Sequence, residues 1–344
     1  MALLDELNQA QQEAVKTIDG PVLIIAGAGS GKTRVLTFRM AYLLQQDVKS
    51  NSIVAVTFTN KAAGKMKERI KNLISLKELP FVGTFHALAA WILRTERFPF
   101  DKFIIYDSQD QLTLIKEAIN EQKFVGEKLS PTLIKELVSK VKNELLTSRQ
   151  QLRILNEAQL EPELFKRVYR AYQEKLKQNR ALDFDDLLLK ALELLNQKSQ
   201  VLEKYQKHSQ YLLVDEYQDT NVVQYRFINL LAKKYRNICV VGDIDQAIYG
   251  WRGADFRNIL NFELDYPEVK VFKLEENYRS TKTILVAAQH IIEKNILRKE
   301  KVLWTNNSEG EKIKVAVLDT PFEEASFVIS EIQKLRHKNY NLKD

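Results

Sequence analysis

The sequence predicts an α/β protein: a parallel sheet with helices on its faces, an all-helical block inserted into it, and the beginning of a second α/β unit behind it. Three observations carry that expectation. Six short apolar runs turn polar at their carboxyl ends, and amphipathic stretches lie between several of them, the alternation a parallel sheet requires. From about Ile92 to Arg180 the strand signal fades and apolar residues recur at helical spacing. After Lys273 come a helical stretch, a strand-like run and a further helical stretch, too few elements to cover both faces of a sheet.

Taken in order, PVLIIAGAG (21–29) reads as a buried strand running into glycines, followed by the strands SIVAVTFTN (52–60) and PFVGTFH (80–86). Between the last two lies KAAGKMKERIKNLI (61–74), with an apolar stripe at helical spacing. In the helical block, SQDQLTLIKEAINEQ, SPTLIKELVSKVKNELL and EPELFKRVYRAYQEKLKQ repeat that spacing, and Ser130-Pro131 and Glu161-Pro162 mark helix starts with proline in the first turn. The sheet resumes with YLLVDE (211–216), NICVVGD (237–243) and VKVFKLEENY (269–278). The last unit reads helix (281–295), strand IKVAVLD (313–319), helix (321–335).

At 344 residues the chain is long enough for two or three domains. Hydrophobic residues at 45% and charged residues at 28% indicate a globular rather than a disordered chain. No apolar run approaches the roughly 20 residues of a membrane helix. The N-terminus lacks the basic flank and cleavage site of a secretion signal, so a cytoplasmic location and no membrane partner are expected. The single cysteine, Cys239, excludes an internal disulfide and reads as a buried thiol in a reducing compartment. His86, His208, His290 and His337 are scattered without cysteine partners, so no structural zinc is expected. A net charge of +7 is compatible with a polyanionic partner.

The strongest local motif is AGAGSGKT, comprising Ala26, Gly27, Ala28, Gly29, Ser30, Gly31, Lys32 and Thr33. It follows an apolar strand and opens a helix pattern beginning at Arg34, the context of a phosphate-binding P-loop. The glycines let backbone N–H groups close around phosphate oxygens, and the helix N-terminus adds partial positive charge. Lys32 is expected to reach the β- and γ-phosphates of ATP and Thr33 to bind Mg²⁺. The strict pattern has glycine where this chain has Ala26, a small residue that still permits the turn. A neighbouring strand must then supply a carboxylate for the metal, and YLLVDE ends in Asp215 and Glu216. Asp215 would hold Mg²⁺, and Glu216 would orient and deprotonate an attacking water. Read alone, these acids could equally cap the next helix. Asp219 gains no catalytic role from chemistry; with Gln218 and Thr220 it reads as shaping the start of that helix and the coupling toward the next face.

Eight strings now stand in one order: LNQAQQEAV, AGAGSGKT, TFTNKAAGKM, GTFH, LDFDDLL, VDEYQDTN, VGDIDQAIYGWRGA and LEENYRS. Together they resemble the superfamily 1 DNA helicases of the UvrD/PcrA/Rep type. The resemblance implies two RecA-like domains with ATP between them, each carrying a helical insertion. Residues 1–90 and 181–272 would form the first, 91–180 its insertion, and 273–344 the beginning of the second. It also implies roles for matching residues. Gln11 would read the adenine edge, Gln246 would sense the γ-phosphate, Tyr278 would stack on adenine, and Arg279 would contact the γ-phosphate with Arg34 among the nucleotide-binding residues. Phe58, Thr59, Asn60, Phe85, His86, Phe184, Tyr249, Trp251 and Arg252 match positions lining a single-stranded DNA groove. For Phe85 and Phe184 a place in the core is the competing expectation.

The family continues past this length, with a second helical insertion and later motifs not found after Ser280, so the sequence is expected to be a truncated or divided motor that a second chain could complete. The leading expectation is an ATP-dependent 3′-to-5′ DNA helicase of repair or replication type, acting on single-stranded DNA and junctions. The alternative is a module that binds ATP and single-stranded DNA without unwinding. A P-loop small-molecule kinase is disfavoured by Glu216 and the groove aromatics.

Overall fold

The computed structural model describes residues 3–75, 78–122, 129–295 and 299–342. Among them eight strands form: β1 (Val22–Ala26), β2 (Ile53–Thr57), β3 (Phe81–Thr84), β4 (Ile104–Tyr106), β5 (Ala181–Asp183), β6 (Tyr211–Val214), β7 (Asn237–Gly242) and β8 (Lys270–Leu274). Six make one sheet in the order β3-β2-β6-β7-β1-β8, with every neighbouring pair parallel. Its central strands are apolar throughout because helices cover both faces, and β1 and β2 are buried along their whole length.

The helices follow the chain: α1 (Gln9–Lys16), α2 (Lys32–Gln45), α3 (Asn60–Leu73) and α4 (Phe85–Thr95) accompany the first three strands. The expected helical block holds α5 (Ser108–Glu121), α6 (Pro131–Glu144), α7 (Ser148–Glu157) and α8 (Pro162–Gln178). Ser130 accepts a hydrogen bond from the Leu133 N–H, and Pro131 and Pro162 occupy the first turns of α6 and α8, as their sequence signals require. Then come α9 (Phe184–Gln197), α10 (Ser199–His208), α11 (Val222–Ala232), α12 (Arg257–Asp265), α13 (Lys282–Ile292) and α14 (Pro321–His337).

Alternate residues of β1 serve two cores. Leu23 and Ile25 pack with α4, α9 and α11 on one face, while Val22 and Ile24 pack with α2 and α3 on the other. A third core lies within the helical block, around Ile115, Val138, Val168 and Tyr172. Between that block and α9 sits a buried charged cluster. The Lys142 ammonium lies 2.6 Å from Asp183 Oδ2 and 2.8 Å from Asp186 Oδ1, and the Tyr172 hydroxyl donates to Asp183 at 2.7 Å. Lys142 holds Asp183 ionised, whereas burial pushes Asp186 up to about 6.

Two expectations fail. The helical block is bounded by a two-stranded parallel sheet, β4 with β5, which the helical reading of 92–180 does not contain. Three residues per strand, with Ile104 exposed, carry too little pattern to register as a strand. The run IKVAVLD forms no strand and leaves Val315 and Val317 almost fully exposed. A strand exists only when a neighbour pairs its backbone, and alternation in the sequence does not supply that neighbour. Among the described residues no helix is long and apolar enough to cross a membrane.

Candidate functional site

The loop after β1 turns through two left-handed glycines, Gly29 at φ +69° and Gly31 at φ +89°, before α2 begins at Lys32. Gly31 caps α2 without a side chain, so the first N–H groups of the helix face outward unsatisfied by a cap, as an anion site needs. The Ser30 hydroxyl donates to Gly27 O at 2.8 Å, and the Gly27 N–H donates to Leu274 O at 3.3 Å, tying the loop to the end of β8. Ala26 closes β1 in the core. Gln11 is buried beside the loop. Its Nε2 donates to Ser30 O at 3.0 Å and its Oε1 accepts from the Asn8 N–H at 3.2 Å. Each amide atom therefore keeps one further hydrogen-bonding position.

The lysine of the loop is 9% exposed and doubly held. Lys32 Nζ lies 2.8 Å from Glu216 Oε2 and donates to Gln246 Oε1 at 3.0 Å. Beside it, the Thr33 hydroxyl donates to Asp215 Oδ2 at 3.0 Å. Asp215 continues the line of β6, its N–H donating to Val56 O of β2 at 2.9 Å. Burial, reinforced by the neighbouring Glu216 charge, pushes its carboxyl up to about 6. Glu216 takes a left-handed backbone, φ +50°, rare for a residue with a side chain and a mark of local strain. The acids do not cap the following helix: Asn221 caps α11, with Gln224 reciprocating. Asp219 is likewise not at that helix start but on a short turn, where Gln218 Nε2 donates to it at 3.1 Å and to Glu216 at 3.0 Å. Burial, then Glu216, pushes Asp219 up to about 6.

Thr33 and Asp215 bring two hard oxygens together, which suits Mg²⁺, an ion that completes its shell with waters and phosphate oxygens. No group of three or more His, Cys, Asp or Glu side chains converges as a closed metal cage among the described residues. The donor set fits a cation carried in with phosphates.

The segment following β8 lies on the loop. The Asn277 side-chain amide donates to Ala28 O at 2.6 Å and the Tyr278 N–H donates to Gly29 O at 3.0 Å. A Cβ at position 29 would stand 2.7 Å from Arg279 Cβ, so the close approach demands glycine. The half-exposed Tyr278 accepts from Asn8 Nδ2 at 2.9 Å and donates to Glu276 at 2.6 Å; burial and Glu276 push its hydroxyl up to about 12. Arg279 is exposed at the rim. The Arg34 guanidinium donates to Glu6 O and Glu6 Oε2, both at 2.9 Å, and its charge acts on the nearby Tyr278 hydroxyl.

At the carboxyl ends of the same sheet lie two aromatic groups. Phe58 meets Tyr249 with centroids 5.2 Å apart, and Tyr249 meets Trp251 at 6.5 Å; the Trp251 ring is 75% exposed. His86 meets the 49% exposed Phe184 edge to face at 5.8 Å. Burial lowers the His86 pKa, favouring the neutral ring. Thr59 and Asn60 are exposed at the start of α3, where Thr59 accepts from the Ala62 N–H at 3.1 Å. The Arg252 side chain lies outside the described residues. Phe85 is a correction: at 2% exposure it packs in the core with Leu88 and Val56, and offers no face to a base.

Three residues near the site carry no motif signal. Asn277 lies within a quoted string but had no role, and Lys301 and Leu303 fall outside every motif. Asn277 reaches Ala28 across 249 residues of chain, a juxtaposition only the fold creates.

A family model described as the UvrD/REP helicase N-terminal domain matches residues 7–267, and one described as the UvrD-like helicase C-terminal domain matches 272–344. The chain is 47% identical over 348 residues to the ATP-dependent DNA helicase PcrA of Staphylococcus aureus (strain COL), covering 100% of this chain and 47% of that protein. To the ATP-dependent DNA helicase PcrA of Staphylococcus epidermidis (strain ATCC 12228 / FDA PCI 1200) it is 47% identical over 338 residues, 97% of this chain and 46% of the other. The chain thus spans about half the length of the curated relatives it matches.

Proposed function

The chain belongs to the UvrD/REP helicase family, and on that premise we propose that it is the ATP-hydrolysing, DNA-gripping portion of a cytoplasmic 3′-to-5′ DNA helicase of repair or replication type. One observation carries the reading: Lys32, Glu216 and Gln246 meet at a single ammonium, with Thr33 and Asp215 meeting beside it. Residues 1–90 and 181–272 form the first motor domain in this reading, 91–180 its insertion, and 273–344 the beginning of the second.

The loop from Ala26 to Thr33 binds the phosphates through its N–H groups, and Lys32 exchanges Glu216 and Gln246 for β- and γ-phosphate oxygens. Thr33 and Asp215 would hold Mg²⁺, which would supply positive charge beside the phosphates. Glu216, released from Lys32, orients the attacking water and accepts its proton. Gln246 takes a γ-phosphate oxygen with its remaining amide hydrogen, and Arg279 approaches the same phosphate from the rim with a permanently charged fork. Gln11 and Tyr278 receive the adenine. Gln246 is three residues from Tyr249, so a shift of its amide reaches the loop carrying Tyr249 and Trp251. There, with Phe58, and at His86 and Phe184, bases of single-stranded DNA stack irrespective of sequence. Glu216 and these aromatics weigh against a small-molecule kinase.

A second reading is a module that binds ATP and single-stranded DNA without unwinding. ATP hydrolysis and strand displacement by the 344-residue chain, with and without single-stranded DNA, separate the two. DNA-stimulated hydrolysis with displacement supports the motor, completed if needed by a second chain. Binding without stimulated turnover supports the module, and binding of neither ligand refutes both.

A further inference from the structure

We propose that Lys301 is a positioning residue for the Gln246 amide and that residues 301–305 brace the C-terminal segment against the P-loop. The inference rests on the ATP-binding reading. Lys301 is 7% exposed, and its ammonium contacts Asp243 Oδ1 at 2.5 Å and the Asp245 carboxylate. The other oxygen of Asp243 accepts from Gln246 Nε2 at 2.5 Å, and the Asp243 N–H donates to Gln218 Oε1 at 3.0 Å. An ionised Asp243 can only accept, so Gln246 must turn its NH₂ toward Asp243 and its carbonyl toward Lys32. Lys301, by keeping Asp243 paired, holds that orientation. The line from the C-terminal segment to the phosphate lysine is therefore continuous: Lys301, Asp243, Gln246, Lys32.

The same segment grips the loop a second time. Leu303 sits so close to Gly27 that a Cβ there would lie 2.2 Å from a Leu303 methyl. The Trp304 N–H donates to Glu275 O at 3.0 Å, the Asn277 N–H to Trp304 O at 2.7 Å, and the Thr305 hydroxyl to Asn277 O at 2.6 Å. Asn277 in turn holds Ala28. Residues 275–277 and 301–305 form one unit with two anchors, one on the P-loop and one on the turn carrying Gln246. Movement of this unit relative to the sheet changes both together.

The test measures binding of Mg²⁺ with ADP, and of Mg²⁺ with the non-hydrolysable imido analogue of ATP, to the full chain by titration calorimetry. Lys301→Met is expected to weaken the triphosphate about tenfold while ADP stays within about twofold, because only the third phosphate is read through Gln246. Lys301→Arg recovers most of the loss. Gln246→Ala matches Lys301→Met, and the double variant is no worse than Gln246→Ala, since both act through one contact. If Lys301→Met fails to fold, Lys301→Gln, which keeps a donor and loses the charge, replaces it in the same cycle. Equal weakening of both nucleotides, losses that multiply in the double variant, or unchanged triphosphate binding overturns the inference. A wild-type chain that binds neither nucleotide refutes the ATP reading and this inference with it. Wild-type binding of both nucleotides, with no effect of the Lys301 variants, refutes the inference alone.

Discussion

Replacing Trp251 by alanine removes a ring that is 75% exposed and stands 6.5 Å from Tyr249 at a 42° tilt. So exposed a ring contributes little to the core, and the folded chain is expected to keep its melting temperature. A base stacked on such a ring is worth about 1–3 kcal/mol, so single-stranded DNA affinity should fall by about 5- to 150-fold while Mg·ATP affinity is unchanged. Fluorescence anisotropy of a labelled oligothymidylate reads the first quantity, and calorimetric nucleotide titration the second. Phe85→Ala is the internal contrast. Its ring is 2% exposed within the core, so truncation should cost about 3–5 kcal/mol of stability and lower the melting temperature. Loss of stability or of ATP affinity in Trp251→Ala, or undiminished DNA binding, would refute the assignment of this loop to the DNA face.

Two further outcomes concern buried charge. Lys142→Met leaves Asp183 and Asp186 without their cation in a site 1–3% exposed, and urea denaturation should show a loss of about 3–5 kcal/mol. Asp219, whose Oδ1 meets no hydrogen-bond donor among the described residues, is held up to about 6 in the fold by burial and Glu216. A carboxyl raised on folding stabilises fully below its unfolded value, and that contribution is lost as pH rises through about 6. Asp219→Asn should therefore gain stability over the parent between pH 4 and 7, reaching on the order of 1–3 kcal/mol and levelling above that window. A difference that stays constant with pH, or grows in acid, would contradict this.

The six strands of the main sheet were legible from four to six residues of apolar pattern each, although the edge strand β8, expected to be buried, buries only Leu274. The helix starts at Pro131 and Pro162 were legible from local capping chemistry. The short β4 and β5 were not, because three residues define no period. Nor could the sequence decide whether Phe85 lies in the core, since only packing settles that. IKVAVLD shows the opposite failure, a strand pattern whose formation depends on a neighbouring strand. Lys32, Thr33, Asp215, Glu216 and Gln246 were nameable from motifs, and the fold brings them within hydrogen-bonding reach. Arg34, grouped with them, is engaged with Glu6. Lys301 and Leu303 were invisible, because nothing local in KVLWT announces a distant loop.

The central claim is that Glu216 activates water at a P-loop whose turnover answers to DNA. Steady-state ATP hydrolysis by the parent chain, Lys32→Ala and Glu216→Gln, with and without oligothymidylate, tests it most directly. The account predicts DNA-stimulated turnover in the parent, loss of nucleotide binding in Lys32→Ala, and retained ATP binding with hydrolysis slowed by about 10²- to 10⁴-fold in Glu216→Gln. Hydrolysis at the parent rate in Glu216→Gln would contradict it.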